Sequence, residues 1–225
     1  MAKTDDEVRV TRGDRSLVFD AIFPSEIEIF EGKTSIQKLV PKVDFRRACF
    51  NGDASAVFVG AKNIVAFDVA TGKKSKLACK GHKAPANDLV VDDSGDHLYS
   101  AGGSYIYTDD RFVRAFDAKT GAPLWKVGGK KAGFHCVAVV DDLVLAAAEN
   151  GRVYAIKEGE VVSEVVIGAG ATLKAADSHI WIGVRIDALT STSVTWRDAV
   201  GKSARFTCAL SFTKGALKAG EPKRA

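Results

Sequence analysis

A glycine recurs at one point of a repeating pattern down this chain, and that recurrence constrains the fold more than any other feature. It stands at Gly32 in EIEIFEGK, Gly72 in NIVAFDVATGK, Gly121 in RFVRAFDAKTG, Gly159 in RVYAIKEGE and Gly201 in SVTWRDAVGK. The intervals are 40, 49, 38 and 42 residues. An aromatic or branched residue precedes each glycine: Phe30, Phe67, Phe116, Ile156 and Trp196. A spacing of this size marks stacked supersecondary units rather than one continuous sheet.

The clearest unit runs from Gly81 to Val127. Leu89 to Val91 is a short β-rich run, and Asp92, Asp93, Ser94, Gly95 and Asp96 have turn composition. His97 to Ala101 and Phe112 to Asp117 read as the second and third strands, with a longer loop at Gly102 to Asp110 between them. Lys119, Thr120 and Gly121 turn the chain into a fourth, Ala122 to Val127. Four short strands cannot bury both faces alone, so each unit needs neighbours of its own kind. The first unit takes residues 1–41, with strands at Leu17 to Ile22, Ile27 to Phe30 and Ser35 to Val40. The second runs from Lys42 to about Lys80, the fourth from near Phe134 and the fifth from near Thr172. In the fifth, Ile180 to Val184, Ser193 to Arg197 and Arg205 to Ser211 are later strands. Helical periodicity is absent almost everywhere. The expected fold is all-β, a β-propeller of about five four-stranded blades forming a small ring or an open arc, over residues 1–213. Residues 214–225 are expected to be a basic C-terminal tail carrying Lys214, Lys218, Lys223 and Arg224.

The residues of the third unit resemble the WD-repeat family. Gly81-His82 opens it, Ser94-Gly95-Asp96-His97-Leu98-Tyr99-Ser100 supplies the second strand, and His82 and Ser100 lie 18 residues apart. The family's Trp-Asp ending stands here as Phe67-Asp68, Phe116-Asp117 and Trp196-Arg197-Asp198. FDAKTGAPLW also resembles the repeat of quinoprotein-type propellers. The WD resemblance implies that His82, Ser100, Asp110 and Phe116 form a buried hydrogen-bond network within a blade. It implies no reaction. Ser, His and Asp are also the types of a hydrolytic triad, but no nucleophile elbow is present, and the network reading is preferred. Most members of that family have more units than this chain has room for. An open arc would need a partner chain or a second copy to cover its end blades.

The remaining motifs carry little chemistry. Cys49, Cys79, Cys136 and Cys208 lie far apart in strands and read as buried thiols; adjacent His135 and Cys136 point to opposite faces, so no metal site is assigned. No cofactor is assigned. The Gly168-Ala169-Gly170 piece precedes no helix and is not a phosphate loop. The N-terminus MAKTDDEVRV is read as neither a signal nor a transit peptide, and no apolar run reaches membrane-span length, so a cytoplasmic location is expected.

Charge is more informative. Lys42, Lys80, Lys83, Lys130 and Lys131 fall in or beside loops joining a fourth strand to the next first strand. The first-to-second turns carry Asp53, Asp92, Asp93, Asp96, Asp141, Asp142 and Asp177. One face should therefore be basic and the opposite one acidic but diluted by Lys33, Lys73, Lys74, Lys119 and Lys202, and the plainer reading, that Lys and Asp populate solvated loops, is preferred to a dedicated anion site. The long loop offers Tyr105, Ile106 and Tyr107 as contact residues. Together these point to a non-catalytic scaffold that binds other proteins. The alternative is a ribonucleoprotein subunit that lays its basic face and tail on RNA. A net charge of +4 is modest for a dedicated nucleic-acid binder. A small-ligand-binding or quinoprotein-like propeller enzyme is a third reading.

Overall fold

The computed structural model describes residues 7–20, 24–103, 110–129, 132–167, 184–198 and 205–224. These residues form antiparallel strands and no α-helix. The first sheet holds β1 (Glu7–Arg12), β2 (Arg15–Asp20), β3 (Ile27–Glu31) and β4 (Thr34–Leu39) in chain order. The second holds β5 (Ala48–Phe50), β6 (Ala56–Val59), β7 (Ile64–Asp68) and β8 (Lys74–Cys79). The third holds β9 (Asp88–Val91), β10 (His97–Ala101), β11 (Phe112–Asp117) and β12 (Pro123–Gly128). The fourth holds β13 (Phe134–Val140), β14 (Leu143–Ala148), β15 (Arg152–Lys157) and β16 (Glu160–Val166). The fifth holds β17 (Val184–Leu189), β18 (Ser193–Asp198), β19 (Arg205–Thr213) and β20 (Ala216–Ala219). The short strand β21 (Lys223–Arg224) also pairs with β19. In the first four sheets strands adjacent in space are consecutive in the chain, an up-and-down order, and in the fifth β17 to β20 follow it while β21 returns to β19.

The chain divides into two compact units: Met1–Tyr99 with Ala115–Leu124, and Ser100–Arg114 with Trp125–Ala225. The first unit contains two apolar clusters. One gathers Leu17, Ile27, Ile29, Leu39, Phe45, Phe50, Val57 and Phe67; the other gathers Phe58, Ile64, Leu89, Leu98 and Phe116. The second unit packs Leu145, Val153, Ile167, Val194, Trp196, Leu210 and Leu217 together. Central strands β6, β7 and β14 bury residues on both faces: Val57 to Val59, Ile64 to Phe67 and all of Leu143–Ala148. Outer strands β4 and β16 alternate or are exposed instead. A strand covered on both faces needs a continuous apolar run, whereas an outer one needs only a partial inner face.

Three expectations are corrected here. The third-to-fourth turns keep glycine at Gly32, Gly72, Gly121 and Gly159, all with positive φ (59°, 66°, 74° and 85°). In the fifth sheet that position belongs to Gly215 (φ 78°), between β19 and β20, and not to Gly201. Ser193–Asp198 is accordingly the second strand there rather than the third. Trp196 followed by Gly201 imitates the spacing seen elsewhere, and polar Arg185 and Asp187 disguise β17 as a loop. Residues 180–183 of the expected Ile180 to Val184 strand lie outside the described residues. Second, the segment read as a basic tail supplies strands: Phe212 pairs with Leu217, and Phe206 with Arg224. Its four-residue alternation, with Leu217 buried at 5% exposure between exposed neighbours, is too short to show as a period. Third, Glu7–Arg12 forms the first strand of the first sheet, although its charged alternation gives little apolar signal.

Candidate partner interface

Antiparallel pairing sends alternate connections to opposite ends of a sheet, and the two ends of the first unit differ in chemistry. At one end are the first-to-second and third-to-fourth turns. Asp53 Oδ1 accepts from Asn51 Nδ2 (2.7 Å), the Ser55 hydroxyl (2.6 Å) and the Ser55 amide (3.0 Å). Asp68 Oδ1 accepts from the Thr71 hydroxyl (2.6 Å) and amide (2.8 Å). Asp117 repeats this with Thr120 at 2.8 and 2.7 Å. Ser55 holds the Asp53 carboxyl below its usual range, and the Thr71 and Thr120 hydroxyls and amides do the same for Asp68 and Asp117. Burial pushes the Asp92 carboxyl up, but His97 and Ser94 outweigh it and the group ends low, with His97 Nδ1 2.7 Å from Asp92 Oδ2. One oxygen of each of Asp53, Asp68 and Asp117 is thus engaged within its own turn, which fixes the shape of that turn.

Arg12 binds that end together. Its Nε donates to Gly52 O at 2.7 Å and its Nη2 to Asp92 O at 3.0 Å. Gly52 and Gly95 meet backbone to backbone there, so that a Cβ on Gly95 would stand 2.7 Å from Gly52 Cα. A cleft of about 640 Å³ opens beside these turns, lined by Asn51, Asp53, Phe58, Asp68, Leu77 and Lys119 among others. Its acids are the ones already fixed by their own turns.

The opposite end carries cations. Ala48 pairs with Val59 and Ile64 with Cys79, so the start of β5, the β6–β7 connection and the end of β8 emerge together. Lys42, Lys80 and Lys83 are exposed in these connections, as the sequence placed them. Arg46, Arg47 and Lys62 join them and were missed. Arg46 and Arg47 precede β5 in a loop already counted for Lys42. Lys62 lies in the second-to-third connection, whose exit at the same end follows from strand alternation alone. Arg46 Nη1 donates to Asn87 Oδ1 at 2.7 Å, and the Gly60 amide donates to Arg47 O at 2.8 Å. Ala86 and Leu89 crowd Gly60 as well, within 3.4 Å of where a Cβ would sit. The three loops are thus tied to one another.

Of the expected network residues, His82, Ser100, Asp110 and Phe116 are each buried, at 3%, 0%, 0% and 0% exposure. Phe116 lies in an apolar cluster. Asp110 Oδ1 lies 2.9 Å from Arg114 Nη2, an ion pair the sequence did not reveal. Burial lowers the Arg114 guanidinium against the opposing pull of Asp110. The same unit buries Glu149, whose Oε1 accepts from the Gly133 amide at 2.9 Å. Its carboxyl is raised by burial, but the His135 ring, the Gly133 amide and the Arg111 charge bring it below its usual range. His135 Nε2 and Arg111 Nη2 each stand 3.8 Å from the carboxylate, so they act through space rather than by direct hydrogen bonds. The expected contact residues Tyr105, Ile106, Tyr107, Lys130 and Lys131 lie outside the described residues.

The cysteines are free thiols in the interior. Burial pushes Cys79 up to about 12 and raises Cys49 and Cys208 too, so none of these three is a ready nucleophile. Among the described residues no three His, Cys, Asp or Glu side chains gather as a metal site, and no helix is long and apolar enough to cross a membrane.

No family model and no curated protein sequence matches this chain. Solved structures do. A Kluyveromyces Hsv2 propeller, with its loop 6CD replaced by a Gly-Ser linker, matches with a TM-score of 0.61 at 11% identity, over 99% of this chain and 73% of that one. A chain of a mitotic checkpoint complex matches with a TM-score of 0.70 at 14% identity, over 99% of this chain and 67% of that one. Both neighbours are β-propellers of the WD type. At such identities the likeness shows the fold alone: this chain has a β-propeller fold of five antiparallel sheets. The quinoprotein-like wording of residues 116–125 stays a sequence resemblance.

Proposed function

We propose that this protein is a non-catalytic interaction module, a rigid display of loops that binds other proteins. The observation that carries this reading is the contrast between the two ends of the first unit. One end holds its carboxylates in hydrogen-bonded turns among Lys33, Lys73, Lys74 and Lys119, and the other holds exposed cations on loops tied together by Arg46–Asn87 and Gly60–Arg47. Rigid loops lose little conformational entropy on binding, which favours recognition of a surface. One of the structures with this fold is a component of a protein complex, which supports protein partners in general. Lys42, Lys80 and Lys83, with Tyr105, Ile106, Tyr107, Lys130 and Lys131, are the proposed contacts. The buried residues His82, Ser100, Asp110 and Phe116 are proposed as structural.

The same cations favour a second reading, an RNA-contacting subunit, with Lys223 and Arg224 adding charge. Affinity capture from native lysate, split into nuclease-treated and untreated halves, separates the two. The scaffold reading expects the same proteins in both halves. Loss of the proteins with nuclease would overturn it in favour of RNA, and recovery of the protein alone would overturn both.

A further inference from the structure

The cationic end has a more specific chemistry than its lysines alone imply. Lys42, Arg46 and Arg47 precede β5, Lys62 joins β6 to β7, and Lys80 and Lys83 follow β8. Lys42, Arg46, Lys62, Lys80 and Lys83 are exposed, and Arg47 is half-buried. On the three loops themselves these six cations stand against Asp44 and Asp88, whose Oδ1 accepts from the Leu89 amide at 3.0 Å; in the first sheet the same end also carries exposed Glu7 and Asp20, paired at the ends of β1 and β2, and Glu26, which pairs with Lys38 at 2.8 Å. Asp44 is exposed. A surplus of positive charge on locked loops selects an anionic partner.

Two further observations choose among anions. Val40 and Val43 flank Lys42 and are 55% and 36% exposed, so aliphatic surface is interleaved with the cations. The aromatic rings in these loops, Phe45 and His82, are buried at 1% and 3% exposure. Single-stranded nucleic acid is held by stacking on exposed rings along a basic groove, and among the described residues of these three loops there is no exposed ring. An acidic peptide uses both features, its carboxylates on the cations and its aliphatic side chains on Val40 and Val43. We propose that this end is a docking surface for an acidic protein segment bearing aliphatic side chains. The proposal rests on the interaction-module reading and names its partner's chemistry.

Fluorescence anisotropy tests it with two defined probes on the full chain: a labelled peptide of alternating Glu and Leu, and a labelled oligouridylate of equal charge. The peptide is expected to bind at least tenfold more tightly than the oligouridylate. Lys42→Glu/Lys62→Glu/Lys80→Glu should weaken it at least tenfold, and Val40→Ser/Val43→Ser several-fold. All five positions are exposed, so the thermal midpoint should stay put. Lys33→Glu/Lys73→Glu/Lys74→Glu makes the same charge change at the opposite end of the strands and should bind as the parent does. Equal peptide affinity in the parent and the first triple variant would overturn the proposal. So would an equal loss in the second triple variant, or tighter binding of the oligouridylate. If lysate capture still returns proteins in that event, this surface assignment falls while the module reading stands.

Discussion

The guanidinium of Arg12 donates to Gly52 O and Asp92 O, reaching from the first sheet to turns of the second and third. Hydrogen bonds to a charged group contribute about 1.5–3 kcal/mol each when lost from a folded site. Arg12→Ala should therefore lower unfolding free energy by about 2 kcal/mol in urea titration, with Arg12→Lys restoring only part of it. Gly95 beside it holds φ 77°, and a methyl there would meet Gly52 Cα at 2.7 Å. Backbone strain of about 1–2 kcal/mol and the clash combine, so Gly95→Ala should lower the thermal midpoint by several degrees. The turn aspartates set the acid limit. Their folded pKa values are depressed, so their contribution is present above the unfolded value of about 3.9 and is lost as pH falls through the folded values. The urea midpoint should fall between about pH 5 and pH 2, and less steeply in Asp68→Asn/Asp117→Asn, whose side-chain oxygens still accept but do not titrate.

At the scale of strands, β20 decides whether residues beyond 213 are structure or appendage. Leu217 is buried in the second unit's core beside Leu210 and Trp196. Leu217→Ala should cost about 2–4 kcal/mol of stability, whereas a tail residue would cost nothing measurable. Much of this level was legible in the sequence. In the third unit the expected strands His97 to Ala101 and Phe112 to Asp117 are β10 and β11 to the residue, because Asp-rich and Gly-containing turns bound them. Strands without an apolar run escaped: β1 alternates Glu, Arg and Thr with its valines, and the sequence of β17 interrupts its apolar residues with Arg185 and Asp187. The candidate site was legible only in part. Lysines in the fourth-to-first loops were readable from order along the chain. Lys62 required the end of the sheet at which a second-to-third connection emerges. The Asp110–Arg114 and Glu149–Gly133 ties required burial, which charged residue types argue against in a sequence.

At the scale of the whole molecule, the hydrogen-bonded turns and the proposed binding surface of the first unit stand at opposite ends of its strands. Hydrogen exchange on the chain, free and loaded with the proteins it captures, tests that division most directly. The account predicts new protection in amides of residues 40–47, 60–63 and 80–88, with the turns at 51–55, 68–72, 92–97 and 117–121 unchanged. Protection confined to those turns, or no change anywhere in the loaded protein, would contradict it.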